Sequence, residues 1–495
     1  ATPDGKPFLG GPDYPPESAG GRTGFRELLQ RVAEAWHEDE SGIRSTARHA
    51  VDRLELLGRS ARPVSLTAAP VRMARREYRD SYDDLQGGFG IAPKFPQPAR
   101  LLFLLEDSEP SSQDMALHTL ERMIAGGIHD RLGGGFHRYS TDFEWRLPHF
   151  EKMLYDQALI ARACLVAWRN TGREDFAGVV RGILDFSLRE LRHSQGGFFS
   201  ALGADSPAAQ GPEEHLEEGA YYTWDWLQLS AALGDGELLD WASARYGLTR
   251  QGNAPDEATG ELAGRNVLVE ELDEEQLAEQ FAVDLPGVKK RNARTDSLLR
   301  EARKTRPPVP VDDKVVTAWN GYMINTLALA GRLLDEPRYL EAAEQGAEFV
   351  LDRLYDQKRG LLYRDWRAGV RGVPAFNEDY AGLAEGLLVL YKVSGDRHWL
   401  DHAQRLTDLQ INLFWDDAHG GFFNTSDDSV AWLREKGIVD GASASDNGVS
   451  IHVLLTLGRL TGRRDYADRA RQTAEWAAAQ LQDAPAAMPL SLIHI

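Results

Sequence analysis

Gly172-Arg173-Glu174-Asp175-Phe176, followed twenty residues after its aromatic by Gly196-Gly197-Phe198, is a phrase that this chain repeats. It returns as Asp335 to Tyr339 with Gly360-Leu361, and as Gly395 to Trp399 with Gly420-Gly421-Phe422. The aromatic-to-Gly spacings are 20, 21 and 21, and a fourth start, Gly462 to Tyr466, follows near the C-terminus. Self-similarity at such a period means stacked supersecondary units, each too small to bury its apolar face alone.

Working outward, the stretches between these punctuation marks carry helical periodicity. Phe150, Leu154, Ala158, Ala161, Leu165 and Trp168 step by 4, 4, 3, 4 and 3, the signature of one buried helix face. The patterns come in antiparallel pairs: Ala99 to Leu105 with Gln113 to Ala125, Phe150 to Trp168 with Asp175 to Leu191, and Trp224 to Ala232 with Glu237 to Tyr246. Three more follow: Val316 to Leu334 with Tyr339 to Leu354, Tyr380 to Val393 with Trp399 to Phe414, and Val449 to Leu460 with Tyr466 to Leu481. An open stack of hairpins needs polar caps at both ends, and no such terminal hairpin is visible, so six pairs predict a closed (α/α)6 toroid. Phe25 to Leu57 reads as one helix, with Phe25, Leu28, Leu29, Val32 and Trp36 on one face. The expected organisation is a first part over 1–62, the ring over 63–489 and an insertion at about 249–310, with Glu274 to Phe281 and Val288 to Lys304 helical. Thr2-Pro3-Asp4-Gly5-Lys6 is a hairpin turn without the strand that should precede it.

The 495 residues include 56 Lys and Arg against 76 Asp and Glu, a net charge of −20, which argues against nucleic acid or an anionic membrane as partner. No apolar run approaches the roughly 18 residues that span a bilayer. A single cysteine, Cys164, excludes an internal disulfide and a Cys-rich metal site, and makes the cytoplasm the expected compartment. There is no phosphate-binding loop, no His-Glu-x-x-His helix and no nucleophile elbow, and the histidines are dispersed. Neither a cofactor nor a metal is expected.

Turns within pairs are short and bland, whereas connections between pairs are long and rich in Gly, His, Asp, Trp and Asn. Alternating helices place all the long connections at one end, so a polar rim is expected there. Its densest part runs from Gly133 to Asp156. His137, His149, Glu151 and Asp156 are candidates for acid/base work there, since an imidazole near neutral pKa beside a carboxylate can move protons. Arg138, Tyr139, Asp142 and Trp145 are candidates for substrate binding. His149 and Glu151 fall in the opening turn of a helix, with Pro148 before them; the equally weighted reading is that they cap it while His137 bonds a neighbouring loop. Further round the rim come Asp205, Asp313, Lys314, Trp319, Asn320, Glu378, Tyr380 and the acid/base candidate Asp379, with Asp440 and Asn447 beyond. Indoles and phenols beside carboxylates suit a sugar-sized polyol, whose ring faces stack while its hydroxyls hydrogen-bond. Plain helix capping by Asp and Asn is the other reading.

Thr2 to Phe8, Gly87-Gly88-Phe89-Gly90 with Pro93-Lys94-Phe95-Pro96, Gly133 to Asp142, Pro148 to Asp156, and Asp313-Lys314 with Thr317 to Gly321 resemble the spermatogenesis-associated protein 20-like family. The resemblance covers nearly the whole chain. It implies a thioredoxin-like α/β domain followed by a toroid similar to N-acylglucosamine 2-epimerases and six-hairpin glycosidases. On that basis residues 1–62 are the C-terminal remnant of the thioredoxin-like domain plus a linker helix. The family's Cys-containing motif lies upstream of Thr2, outside this chain. Gly203-Ala204-Asp205-Ser206 and Asp440 to Asn447 depart from the family pattern. Leu490-Ser491-Leu492-Ile493-His494-Ile495 resembles a translated sequencing adapter and is expected to be an artefact. The functions implied are epimerase- or isomerase-like action on a carbohydrate, glycoside hydrolysis, or a non-catalytic, redox-accessory binding role. Oligomeric state is not legible.

Overall fold

The computed structural model describes residues 1–11, 14–18, 23–58, 64–207, 216–254, 262–427, 434–437, 439–481 and 485–493, the side chains of 54–58 excepted. Its helices are α1 (Phe25–Glu38), α2 (Glu40–Gly58), α3 (Ala69–Ser81), α4 (Pro98–Glu106), α5 (Pro110–Ala125), α6 (Leu154–Thr171), α7 (Glu174–Glu190), α8 (Trp226–Leu233) and α9 (Glu237–Tyr246). They continue as α10 (Glu274–Phe281), α11 (Leu285–Lys304), α12 (Thr317–Leu333), α13 (Pro337–Arg353), α14 (Asn377–Ser394), α15 (Arg397–Phe414), α16 (Asp446–Thr461), α17 (Arg464–Gln480) and α18 (Pro489–Leu492).

A helix that is buried all round belongs to an interior, and one with a single apolar stripe belongs to a surface. The helices α4, α6, α12, α14 and α16 are of the first kind; α7, α13, α15 and α17 are of the second. Each inner helix packs on the next, and the short α18 lies against both α4 and α16, closing an (α/α)6 toroid. The helices that pack most closely as consecutive pairs among the described residues are α4/α5, α6/α7, α12/α13, α14/α15 and α16/α17, and α18 lies against α3.

This assignment corrects the expected pairing in one respect. The pair at 224–246 forms α8 and α9, but these pack on α11 of the insertion, with a separate core of Trp224, Leu229, Leu239, Tyr246 and Leu299. The first outer position is taken by α3, which carries little hydrophobic signal, with only Pro70, Ala74 and Tyr78 buried. A buried charge cluster bonds the insertion to the ring. The Asp130 carboxylate accepts from Lys152 Nζ (2.6 Å) and from both terminal nitrogens of Arg303 on α11 (2.7 and 3.0 Å).

The repeated Gly-rich turn is held by a repeated device. The Phe136 amide donates to Gln157 Oε1 (2.8 Å) while Gln157 Nε2 donates back to Phe136 O (2.7 Å). Asn320 makes the same two bonds to Phe198 (2.8 and 3.0 Å), and Asn447 to Phe422 (2.8 and 3.0 Å). At the fourth turn Tyr380 Oη accepts from Leu362 N (3.1 Å). The inner helices α6, α12, α14 and α16 thus each satisfy a buried peptide of the turn that precedes them. Gly135, at φ 79°, is required there, because a Cβ would meet Gln157 Oε1 at 2.7 Å.

Two helix boundaries differ from expectation. The stretch Phe25 to Leu57 is broken at Asp39, whose carboxylate accepts the Gly42 amide (2.8 Å) and starts α2. None of the α1 face is buried. The helix expected from Phe150 begins at Leu154, because Pro148–His149 and Lys152–Met153 are extended and pair with Tyr139–Ser140 and Ala201–Leu202. The Thr2 to Lys6 turn is present, closed by Gly5 N to Thr2 O (2.8 Å), and no strand occurs among the described residues before Phe25. The expected boundary at 62/63 lies outside the described residues, as do 255–261 of the insertion and His494-Ile495 of the tail. No helix among the described residues is long and apolar enough to cross a membrane.

Candidate functional site at the ring rim

The N-terminal ends of the inner helices and the long connections share one rim. Here the antiparallel pair Tyr139–Ser140 with Pro148–His149 sets Tyr139 opposite His149, and their rings stack 5.0 Å apart. Phe95 also packs on Tyr139, its ring centre 4.7 Å away. The loop between the strands is tied by Asp142, which accepts from the amides of Glu144 (2.7 Å), Arg146 (3.2 Å) and Leu147 (2.6 Å). Trp145 is fully buried and donates its indole N–H to Gln86 O (2.9 Å). Asp142 and Trp145 therefore shape the loop; their polar atoms are spent on the backbone.

The hairpin presents a chain of charges. His149 Nδ1 lies 2.7 Å from Glu218 Oε1, its Nε2 lies 3.2 Å from Glu151 Oε2, and Glu151 in turn binds Arg138 Nη1 (3.1 Å). The bonds to Glu151 and Glu218 push the imidazole pKa up to about 9, so it is an imidazolium at neutral pH. The same bonds hold Glu151 and Glu218 below the ordinary carboxylate range. His149 is thus an ionic pin rather than a general base at neutral pH.

Asp156 sits in the first turn of α6, buried, and its Oδ2 has no hydrogen-bond partner. Burial pushes its pKa well above the ordinary range, against the opposing pull of Arg138. It lines a cavity of about 230 Å³ together with Arg138, Phe95, Pro96, Arg100 and Asp440. A neutral carboxylic acid facing a small cavity beside a guanidinium can donate a proton and stabilise the oxyanion that forms. Trp319 reaches this region through Tyr155, edge to face at 4.9 Å.

Other sequence candidates lie elsewhere. His137 is buried, its Nδ1 2.9 Å from Phe150 O and its ring edge-on to Tyr222 at 4.6 Å. Burial, aided by Lys152, pushes it down to about 3, so it is neutral and locked in the core. Asn320 and Tyr380 serve as turn clamps. Asp379 accepts from Ala318 N (3.1 Å), Phe376 N (3.0 Å) and Arg364 (3.3 Å), fixing the start of α14; burial raises its pKa to about 7. Glu378 pairs with Arg364 (2.5 Å) beside a second rim cavity of about 360 Å³ that Asp446 also lines. Asp313 pairs with Arg367 and Lys314 with Asp312 (2.7 Å). Asp205 is exposed, opposite Glu218 in a two-stranded pair.

Sequence reasoning missed Glu218, Arg364 and Asp446. Glu218 is 69 residues from its partner, in an acidic run whose only sequence signal is charge density. Asp446, held by Asn377 Nδ2 (2.7 Å) and raised by burial to about 7, is adjacent to the candidate Asn447. Among the described residues no group of three or more His, Cys, Asp or Glu could hold a metal.

No family model matches the chain. It is 38% identical over 505 residues to spermatogenesis-associated protein 20 of Homo sapiens, an alignment covering 94% of the chain and 63% of that relative. It is 31% identical to uncharacterized protein B0495.5 of Caenorhabditis elegans, over 99% of the chain and 70% of that relative. Among solved structures, cellobiose 2-epimerase from Bacillus thermoamylovorans is similar with a TM-score of 0.51 at 9% identity, covering 82% of the chain and 86% of the enzyme. That likeness is one of fold.

Proposed function

The chain belongs to the spermatogenesis-associated protein 20-like family, and from that premise we propose that its ring binds a sugar or sugar derivative at the rim and acts on it by proton transfer. The observation that carries this reading is Asp156, a buried neutral acid with an unpartnered oxygen on a small cavity beside Arg138. Epimerisation next to a carbonyl needs an acid and a base on opposite sides of the reacting carbon. Asp156 supplies the acid, and Arg138 stabilises the oxyanion. Glu151, ionised and within electrostatic reach of Asp156, is the candidate base once its ion pairs with His149 and Arg138 open. Phe95, exposed and lining the same cavity, offers a ring face for stacking on the sugar. The likeness of fold to a sugar epimerase is consistent with such a ligand.

The test is a panel of reducing sugars followed by ¹H NMR for isomer formation, with aryl glycosides in parallel. Isomer formation that falls by roughly 10²–10⁴-fold in Asp156→Asn, with binding retained, supports the proposal. Cleavage of the glycosides instead redirects it to hydrolysis. No conversion and no binding of any sugar would overturn it.

A binding role without turnover is favoured by a different observation: apart from Asp156, the sequence-derived acid/base candidates are engaged in ion pairs or backbone bonds. Cys164 is buried, and burial pushes its thiol up to about 12, which disfavours the reactive thiolate. Sugar binding that is unchanged in Asp156→Asn, with no product from the parent protein, would select this reading.

A further inference from the structure

Below the rim, at mid-depth in the ring, a second cavity of about 230 Å³ is walled by Leu102, Leu159, Leu165, Leu329 and Val449. Into this apolar space project Arg162 of α6, Tyr322 of α12, Glu385 of α14 and His452 of α16. Arg162 uses one nitrogen, Nη1, on Glu385 (3.2 and 3.5 Å to its two oxygens). Its Nε and Nη2 form no bond to the described residues, which leaves a two-donor edge available to a ligand. Beside this pair, the almost wholly buried Asn325 stands close enough to Glu385 to help hold that carboxylate ionised.

The charge balance selects the sign of a ligand. Lys392 lies within electrostatic reach of Glu385, Arg459 within reach of His452, and Arg169, paired with Glu106, also lines the cavity, so four cations face two carboxylates. Against the burial that would raise it, Arg162 and His452 hold Glu385 below the ordinary range. The rim groups above Tyr322 are Glu378, Asp379 and Asp446, of which the last two are raised to about 7. Arg162 and Glu385 stand midway along their helices, where the partial charges of helix ends have fallen off and formal charges dominate.

We infer that this inner cavity is a binding site for a small organic carboxylate with an apolar body, the carboxylate lying on the Nε/Nη2 edge of Arg162 and the body against the leucines. A planar guanidinium presents parallel donors that match a carboxylate and cannot be deprotonated, which suits an apolar site. The site is distinct from the Asp156 cavity and does not depend on the rim chemistry.

Isothermal titration of the full chain with octanoate tests this, with octanol and octylamine as controls. Octanoate is expected to bind at least tenfold more tightly than either control. Arg162→Met is expected to weaken octanoate at least tenfold, and Asp156→Asn to leave it unchanged. Glu385→Gln removes the carboxylate that competes for Arg162 and is expected to tighten octanoate binding; it decides the matter if Arg162→Met does not fold. Octanol binding as tightly as octanoate, an unaffected folded Arg162→Met, or weaker octanoate binding in Glu385→Gln would each overturn the inference.

Discussion

His149 shows how far one residue's chemistry is set by its neighbours. A histidine beside a glutamate suggests a base, yet two carboxylates at 2.7 and 3.2 Å keep it charged to about pH 9. Because the folded pKa is raised above the ordinary histidine value, the clamp's stabilisation is fully present below about pH 6.5 and is lost as pH rises through 9. NMR titration of the His149 ring should therefore find a pKa near 9. Glu218→Gln should lower it toward the ordinary value, and His149→Gln should flatten the decline of melting temperature between pH 7 and 9. His137 behaves in the opposite way. Burial pushes it down to about 3, so it disfavours the fold as pH falls below its unfolded value of about 6.5. The two histidines are indistinguishable as letters twelve positions apart. Only the groups packed around them separate a pinned cation from a neutral core ring.

At the scale of elements, the turn clamp explains why the repeated Gly-rich phrase is followed by an inner helix bearing Gln157, Asn320 or Asn447. Each amide satisfies one peptide N–H and one C=O in a place that water does not reach. Asn320→Ala orphans both groups of Phe198 and should cost about 2–4 kcal/mol in a denaturant titration. Asn320→Asp keeps the acceptor but loses the donor, so it should also destabilise. The helices themselves were readable from apolar spacing, most of them to within a few residues. The hairpin that carries Tyr139 and His149 was not, because two-residue strands have no period to detect and Pro148 imitates a helix start. Outer helix α3 escaped for a related reason, since three buried side chains in thirteen residues give a faint stripe.

The whole molecule is a ring with an appended unit, and the Asp130 cluster is a buried ionic link between the two. Burial alone would raise Asp130, but Arg303 and Lys152 hold it well below the ordinary range, while burial pushes Lys152 down to about 8. Removing the shared anion leaves two buried cations facing each other, so Asp130→Asn should destabilise by about 3–5 kcal/mol. Arg303→Met leaves a neutral Lys152–Asp130 pair and should cost less; comparing the two by chemical denaturation checks the order. Equal losses would mean that the cluster's charge balance is not what matters.

The amino-acid sequence by itself determined the ring, because helix pairs of fixed period, divided by Gly-rich turns, can bury their apolar faces only by stacking on one another. It also determined that chemistry, if present, belongs to the end where the long connections gather. Tertiary structure decided which residues meet there. Glu218 reaches His149 across 69 positions, Arg138 comes to stand by Asp156, and Arg162 meets Glu385 across 223. Protonation followed from those meetings, since burial and a neighbouring charge act over a few ångströms and sequence separation says nothing about such distances.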